Sequence, residues 1–217
     1  MGLGLCGAWV MREHPIMFSA PMVRAILDGK KTQTRRVVKA QPEIVEYTAP
    51  FGWNTWCFSG GDYSGCGRVV CSSPYGDPGD RLWVREGFSE WADDMTKTAL
   101  KATEPCLYRA DYTDTAPVLD IGGCRWKSPL YMGRSYSRID LLVKSVRVQR
   151  LQEITEADAV AEGVDAIHAM TRFNCAGNPS NDVIHAYRSV WDSINARKHP
   201  WASNPWVWVV EFERVKP

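Results

Sequence analysis

The chain has 217 residues, which is long enough to bury one sizeable hydrophobic core, and its content of 45% hydrophobic and 24% charged residues excludes wholesale disorder. Its 26 basic and 25 acidic side chains leave a formal net charge of +1, so the overall field of the protein is too weak to attract a polyanion. This balance argues against a protein that coats duplex nucleic acid, and any nucleic-acid contact must come from a local basic patch.

The N-terminal part of the chain predicts a strand, a helix and a second strand. Residues 1–13 are interpreted as a weakly ordered extension. The short apolar stretch from His14 to Ser19 favours a strand, and apolar residues at helical spacing predict a helix from Ala20 to Asp28. Gly29 is a typical C-terminal stop for that helix. The β-branched and basic residues from Thr32 to Val38 then predict a strand, so the chain turns a helix-to-strand corner at this point.

The middle of the chain predicts an insertion, a forced turn and further strands. Residues 41–73 show no sustained hydrophobic period, so we expect an insertion or a long hairpin there. A dense group of turn residues from Pro74 to Asp80 precedes an alternating pattern that predicts a strand from Arg81 to Phe88. Another strand is expected from Leu107 to Tyr112. The stretch from Trp126 to Arg138 mixes proline, glycine, aromatic and basic residues, and it is interpreted as a binding loop.

The following segment predicts a long strand and a capped helix. Residues Ile139 to Leu151 alternate well enough for a strand. Thr155 and Asp158 then form the pattern of a capping box, in which the two side chains satisfy backbone groups at the start of a helix. We expect that helix to contain Ala159 to Glu162 and to end at Gly163.

The remaining predicted elements are a longer helix and a final strand. Six apolar residues recur at helical spacing between Asp182 and Asn195, and they predict an amphipathic helix. Tryptophan, valine and phenylalanine recur at a period of two from Pro205 to Val215, which predicts a half-buried strand. Because the elements do not alternate regularly, we expect an α+β fold, a mixed and mostly antiparallel β-barrel with about three flanking helices and loop insertions. Residues 14–217 are expected to form one domain.

The helix-to-strand corner carries the most informative motif of the chain. Gly29, Lys31, Thr34 and Arg36 fill the pattern G-x-K-x-x-T-x-R, which resembles the motif of the ASCH domain family. Members of that family share a PUA-like β-barrel, so the resemblance implies this fold. The wider arrangement is similar to a longer subgroup common in phages and prophages, and the matching segments are Pro15 to Arg36, Gly79 to Glu86, Tyr108 to Asp111, Ser137 to Ile139 and Trp206 to Trp208.

The resemblance also implies an activity and three site residues. The hydrolase branch of the family removes the acyl group from N4-acetylcytidine with a lysine, a threonine and a glutamate on a later helix. These roles fall on Lys31, Thr34 and Glu162. Other branches of the family are thought to bind or cut RNA. A binding module for single-stranded RNA or a modified nucleotide, and a metal-independent ribonuclease, therefore stay open as alternatives.

The chemistry of these three side chains sets conditions on their geometry. The Thr34 hydroxyl is a poor nucleophile until a base takes its proton, and Lys31 can be that base only if burial lowers its pKa from about 10.4. Glu162 either orients Lys31 or protonates the leaving amine, but a carboxylate that lies too close keeps the lysine charged. Residues 31 and 34 face opposite sides of a regular strand, so the corner must turn.

A plainer alternative is that the corner is a solvated basic edge, which composition alone favours. In that case Lys30, Lys31, Arg35 and Arg36 point to water, and Thr34 is an ordinary strand residue. In the functional interpretation, Arg36 contacts a phosphate or a base carbonyl.

Two further groups are candidate binding residues. Arg85 and Glu86 are expected to line the same opening, with a cross-strand ion pair as the alternative. The loop that follows combines cations with stacking faces, as sites for single-stranded nucleic acid do, and its residues are Trp126, Lys127, Tyr131, Arg134, Tyr136 and Arg138. The alternative for this loop is that its aromatic side chains pack on the barrel.

The cysteine pattern and the absence of long apolar runs indicate a compartment. Seven cysteines without a Cys-x-x-Cys pair are typical of reduced thiols, and Cys57, Cys66 and Cys71 lack the tight spacing of a structural zinc site. No run reaches the about eighteen apolar residues of a membrane span, and the apolar start lacks the basic region of a signal peptide. We expect a cytoplasmic protein without metal, cofactor or membrane partner.

Overall fold

The computed structural model of the protein describes residues 11–39, 41, 44–48, 55–59, 69–71, 73–90, 106–112, 125–164 and 183–215. Most of the predicted insertion, the start of the predicted extension and Cys66 lie outside these residues. Three α-helices are described, α1 (Ala20–Leu27), α2 (Glu156–Ala161) and α3 (Val183–Asn195). Ten strands are described, β1 (Glu13–Met17), β2 (Gln33–Val37), β3 (Ile44–Thr48), β4 (Thr55–Ser59), β5 (Val69–Cys71), β6 (Arg81–Arg85), β7 (Phe88–Ser89), β8 (Leu107–Tyr108), β9 (Asp140–Arg150) and β10 (Trp206–Val215).

The main sheet has five strands in the order β1-β6-β9-β10-β2. Strand β1 runs parallel to β6, and the other neighbours in this sheet are antiparallel. Strands β3, β4 and β5 form a separate antiparallel sheet, and β7 pairs with β8. The expected α+β class with a mixed, mostly antiparallel sheet is therefore confirmed. Among the described residues, no helix is long and apolar enough to cross a membrane.

The two edge strands of the main sheet approach each other although they do not pair among the described residues. The Arg36 guanidinium on β2 donates a hydrogen bond to the carbonyl oxygen of Met17 at the end of β1. The ring of Phe18, which follows β1, lies 6.0 Å from the ring of Phe212 on β10. The sheet thus curves around the side chains of its concave face. Helix α1 covers the opening with Val23 and Ile26, which are fully buried.

Two hydrophobic cores lie on opposite faces of the sheet, and β10 contributes to both. Trp208, Val210 and Phe212 belong to the core inside the curved sheet, together with residues of β1, α1, β6 and β9. Val207 and Val209 point to the other face, where they pack with residues of α2 and α3. The prediction of a half-buried strand was therefore wrong over this stretch, because helices cover the second face as well. Continuous apolar runs such as this one are typical of strands buried on both sides.

The helix-to-strand corner has the turn that the motif requires. Gly29 ends α1 with a φ of 72°, a left-handed conformation that favours glycine. The backbone N–H groups of Lys30 and Lys31 both donate to the carbonyl oxygen of Ala25, at 2.8 and 3.0 Å. Strand β2 begins only at Gln33, so Lys31 lies before the strand. The alternation of side chains between the two faces of a strand therefore does not determine where the Lys31 side chain points.

Helix α2 forms where its capping box predicts. The Asp158 N–H donates to the Thr155 hydroxyl at 3.1 Å, and the Thr155 N–H donates to the Asp158 carboxylate at 3.2 Å. This box places the first helical residue at Glu156, directly after the Thr155 N-cap. Gly163 follows the helix with a φ of 80°. A Cβ atom at this glycine would lie 3.1 Å from the Cβ of Lys31, so the glycine lets α2 end directly against the corner.

Other predicted elements differ in extent. The strand predicted from Arg81 to Phe88 is divided between β6 and β7. The strand predicted from Leu107 to Tyr112 ends at Tyr108, because a 3-10 turn occupies Arg109–Asp111. The loop predicted from Trp126 to Arg138 contains two 3-10 turns, Pro129–Tyr131 and Arg134–Tyr136.

Candidate functional site

Lys31 and Glu162 meet in a buried ion pair between the corner and the end of α2. The Lys31 Nζ lies 2.7 Å from the Glu162 Oε2, and the side chains are 0% and 5% exposed. Nζ also donates to two carbonyl oxygens, those of Gln33 and Glu162, each at 2.8 Å. An ammonium group has three N–H donors, so all three are accepted in this arrangement.

Burial and the partner Glu162 have opposite effects on the pKa of Lys31. Burial lowers the pKa of the Lys31 ammonium, because an apolar surrounding disfavours the charged form. The charge and the hydrogen bond of Glu162 raise the pKa, and the charges of Arg36 and Arg35 lower it. The net pKa of Lys31 lies below its usual value. Transfer of one proton over the 2.7 Å to the carboxylate converts the ion pair into a neutral pair.

A second cation joins this pair from the neighbouring strand. The Arg35 Nη1 lies 3.5 Å from the Glu162 Oε1, and the Arg35 Nη2 lies 2.9 Å from the Asp158 Oδ2. The Arg35 side chain is fully buried. We call Lys31, Arg35, Asp158 and Glu162 the β2–α2 cluster. Two cations and two carboxylates make this cluster formally neutral, as burial of charge requires.

The solvated-edge alternative is wrong for half of the basic corner. Lys31 and Arg35 are buried, at 2% and 4% exposure. Lys30 points to water as that alternative expects, and Arg36 is half-buried. The corner therefore contains both exposed and buried cations, which composition does not distinguish.

Thr34 lies next to this cluster on the inner face of the sheet. The residue is 3% exposed and pairs with Val210 of β10, whose side chain belongs to the core inside the curved sheet. Opposite residues in an antiparallel pair point to the same face, so Thr34 also faces that core. Lys31 touches the same core, since its Nζ lies 5.7 Å from the centre of the Phe18 ring. Among the described residues, no hydrogen bond joins the Thr34 hydroxyl to Lys31 or Glu162.

Arg36 spans the gap between the two edge strands. Its guanidinium lies 5.2 Å from the centre of the Phe18 ring and donates to the Met17 carbonyl. Its Nε is buried and has no hydrogen-bond partner within the described part of the chain. The cations of Lys31 and Arg36 thus both lie near the Phe18 ring. Thr34 lies between these two residues in the sequence.

Arg85 and Glu86 are adjacent in sequence but contact different residues. The Arg85 Nε donates to the Met132 carbonyl at 3.0 Å, and its guanidinium carbon lies 5.3 Å from the centre of the Trp83 ring. Glu86 is 1% exposed and accepts two hydrogen bonds from Arg138, at 2.9 and 3.2 Å. Burial raises the pKa of Glu86, and Arg138 opposes this rise. Glu86 is thus paired within the protein.

The cations of the predicted binding loop are paired with carboxylates of other elements. Arg138 donates to both oxygens of Asp111, at 2.8 and 2.7 Å, and lies 3.9 Å from the centre of the Tyr108 ring. Arg134 donates to Glu13 at 3.0 and 3.1 Å and to Asp140 at 3.1 Å. Lys127 pairs with Glu90, and Trp126 lies against Tyr112 and Arg109. For these residues the geometry favours the alternative of a loop that packs on the protein, whereas Tyr131 is 74% exposed.

The predicted site residues therefore separate into two regions. Lys31, Thr34, Arg36 and Glu162 gather at the corner. Trp126, Arg134 and Arg138 belong to the packed loop, and Arg85 and Glu86 contact that loop from the end of β6. Sequence reasoning missed Arg35 and gave Asp158 only a capping role. Asp158 was accessible from spacing, since it lies four residues before Glu162 and shares one face of a helix with it. No such spacing indicated Arg35.

Comparisons with known proteins add no family assignment. No family model matches the chain, and neither a curated protein nor a solved structure matches it. The function proposed for this protein therefore depends on the residues and contacts described above.

Proposed function

We propose that the protein removes the acyl group from an N4-acylated cytosine nucleoside at the corner between α1 and β2. The observation that carries this proposal is the buried contact of 2.7 Å between Lys31 and Glu162, which lie 131 residues apart in the sequence. Buried titratable pairs with perturbed pKa values are frequent at catalytic sites. The other positions of the motif support the proposal, because Thr34 and Arg36 follow Lys31 along the inner face of β2.

The proposed fold is an ASCH-type, PUA-like barrel. Its support is the curvature of the main sheet. This curvature brings β1 and β2 close enough for the Arg36 side chain on β2 to donate a hydrogen bond to the Met17 carbonyl at the end of β1. Phe18, Lys31 and Thr34 are buried next to these strand ends, at 2%, 2% and 3% exposure, so substrate binding in this proposal requires Arg36 to release the Met17 carbonyl and the strand ends to separate. The substrate base then enters between the strand ends and lies beside the Phe18 ring, where Arg36 binds a carbonyl or phosphate oxygen.

The proposed mechanism begins with proton transfer inside the pair. Glu162 takes one proton from the Lys31 ammonium, whose charged form burial disfavours. The neutral amine releases one carbonyl contact, turns toward Thr34 and takes the hydroxyl proton as the hydroxyl oxygen attacks the acyl carbon. The protonated Glu162 then gives its proton to the departing N4 of cytosine. Lysine is again an ammonium, glutamate is again a carboxylate, and water hydrolyses the acyl-threonine ester.

Turnover of N4-acetylcytidine tests this function directly. The purified protein is expected to release cytidine, as measured by chromatography, and Lys31→Ala and Thr34→Ala are expected to abolish the release. Lys30→Ala and Thr32→Ala are matched controls, since these residues have the same chemistry at exposed positions of the same corner. Thermal unfolding of each variant separates loss of activity from loss of fold. No cytidine from the intact protein would rule out this substrate.

A second candidate is a module that binds a modified nucleotide without turning it over. All three N–H groups of the Lys31 ammonium donate hydrogen bonds within the protein. This favours the binding module, because a protonated lysine has no free lone pair for base catalysis. This candidate predicts binding of N4-acetylcytidine in calorimetry, dependent on Arg36, with no product. Cleavage of RNA in the presence of a chelator, lost in Lys31→Ala, would instead support the metal-independent ribonuclease alternative.

A further inference from the structure

Arg35 is a fully buried cation that uses few of its hydrogen-bond donors. Its side chain is 0% exposed, and among the described residues its Nε atom has no hydrogen-bond partner. Its guanidinium contacts the carboxylates of Asp158 and Glu162. Arg138, by contrast, is partly exposed and donates four hydrogen bonds to two carboxylates. A buried arginine with an unpaired donor costs free energy, and an apolar side chain in its place is often equally stable. Stability therefore does not account for Arg35.

Arg35 and Lys31 approach Glu162 at different oxygens. The Lys31 Nζ lies 2.7 Å from Oε2, and the Arg35 Nη1 lies 3.5 Å from Oε1. The Arg35 Nη2 lies 2.9 Å from Asp158, which is one helical turn before Glu162 on α2. The planar guanidinium thus lies against two carboxylates on one face of the helix. This arrangement fixes which oxygen of Glu162 faces Lys31.

The charge of Arg35 determines which oxygen of Glu162 takes a proton. A guanidinium does not lose its proton in a protein, so Arg35 exchanges none with Oε1, and its positive charge disfavours a proton on that oxygen. Lys31 can exchange a proton, and it faces Oε2. The charge of Glu162 also acts on Tyr187 of α3, but burial is the larger cause and raises the pKa of this phenol well above its usual value. Tyr187 therefore stays neutral.

We propose that Arg35 is a positioning residue, which holds Oε1 of Glu162 and leaves Oε2 to take the proton of Lys31 and pass it on. This inference rests on the proposed function, in which that proton moves from the Lys31 Nζ to Oε2 and then to the departing N4 of cytosine. The Oε2–H bond forms as an Nζ–H bond breaks, and it breaks as the N4–H bond forms. Arg35 gains and loses no proton and acts through Glu162 alone.

A charge-balanced double variant tests this role. Arg35→Met/Asp158→Asn removes one cation and one anion, so the remaining Lys31–Glu162 pair stays neutral, and asparagine keeps an oxygen that can accept from the N-cap of α2. On N4-acetylcytidine, kcat is expected to fall about 100-fold with little change in KM, because a displaced proton carrier slows the chemical step without a substrate contact. If thermal unfolding shows loss of the fold, Arg35→Gln/Asp158→Asn replaces this variant under the same expectations.

Arg147→Met is the matched control for both readouts. Arg147 contacts Asp158 at 3.2 Å but, among the described residues, makes no ion pair with Glu162. Its side chain is 35% exposed, so kcat is expected to stay within about twofold.

The pKa of Lys31 gives a readout that needs no substrate. The charge of Arg35 lowers this pKa in the native protein, so the double variant is expected to raise it, as followed by the NMR chemical shift of the Lys31 ε-carbon in a pH titration. Arg147→Met is expected to leave this pKa unchanged. An unchanged Lys31 pKa, or an unchanged kcat in a folded double variant, would overturn the positioning role. A raised Lys31 pKa in the variant of a protein that releases no cytidine would support the control of the pair by Arg35 and rule out the hydrolase.

Discussion

The β2–α2 cluster and the loop from residue 125 to 138 are both rich in ion pairs, but they differ in burial. The Lys31 and Arg35 side chains of the cluster are fully buried. Arg134 of the loop is 38% exposed, and its partner Glu13 is 40% exposed. Water and salt screen a pair of that kind, so its contribution to stability is small. The Arg134 charge is thus replaceable, whereas a charge in the cluster requires its partner.

The two regions also differ in what holds each cation and in how burial affects its charge. In the loop, Arg134 is partly exposed and fastens the segment to β1 through Glu13. In the cluster, burial lowers the pKa of Lys31 and brings the lysine nearer to the neutral form that base catalysis uses. A positive residue near an aromatic one is therefore a weak sign of function, and its burial and partners decide its role.

The largest expected effect is the loss of one partner of the buried pair. Lys31→Met leaves the Glu162 charge buried without its closest partner, so the free energy of unfolding is expected to fall by about 3–5 kcal/mol in urea denaturation. Lys30→Met is the control and is expected to change little, because Lys30 is exposed. The double variant Lys31→Met/Glu162→Leu is expected to regain much of the loss. Equal losses in the single and double variants would contradict a coupled pair.

The next effect concerns the glycine that lets α2 end against the corner. Gly163→Ala introduces a Cβ atom 3.1 Å from the Cβ atoms of Lys31 and Ala25, at a φ of 80°. A loss of about 2–3 kcal/mol is expected, from backbone strain and from displacement of Glu162. Gly29→Ala is the matched control, since Gly29 has a φ of 72° but open space around it, and it is expected to show the strain alone. Equal losses would mean that the contact with Lys31 has no energetic weight.

A smaller effect is expected from Asp158 of the cluster, whose contribution to stability depends on pH. Burial alone raises the pKa of Asp158, but the hydrogen bonds from Thr155 and the charge of Arg35 outweigh it, so the pKa lies below its usual value. A depressed carboxyl pKa contributes stability that is present above the unfolded pKa of 3.8 and is lost as the pH falls through the folded pKa. Asp158→Asn is expected to be less stable than the native protein at pH 7 and nearly equal to it at about pH 2. Denaturation in urea at both pH values measures this, and a constant difference would contradict the linkage.

The smallest effect is expected in the loop. Arg134→Ala removes half-exposed contacts with Glu13 and Asp140, so a loss of about 1 kcal/mol or less is expected at low salt. At about 1 M salt the Debye length is about 3 Å, and the remaining difference is expected to vanish. A loss as large as that of Lys31→Met would remove the contrast between the two regions.

Local signals in the sequence predicted the elements that position the site. Gly29, the capping box of Thr155 and Asp158, and the period of β9 each depend on neighbouring residues, and each element formed. The burial of both faces of β10 was missed because it depends on α2 and α3, which a two-residue period does not reveal.

Contacts between distant residues were predictable only in part. The family resemblance proposed Lys31 with Glu162, and the structure brings them together. It did not give their separation, which decides how far Glu162 holds Lys31 charged. The partners of the loop cations, Glu13 and Asp111, come from other elements, so no local pattern indicated that Arg134 and Arg138 are already paired.

Catalytic efficiency on N4-acetylcytidine, compared between one variant of each region, tests the central claim that the cluster is the active centre and the loop is a scaffold. Glu162→Gln keeps the size of the side chain but removes the proton acceptor, and kcat/KM is expected to fall about 100-fold or more. Arg134→Ala is expected to keep kcat/KM within about twofold, because the pairs it removes are half-exposed and screened. A fully active Glu162→Gln variant, or a larger loss in Arg134→Ala, would contradict the account.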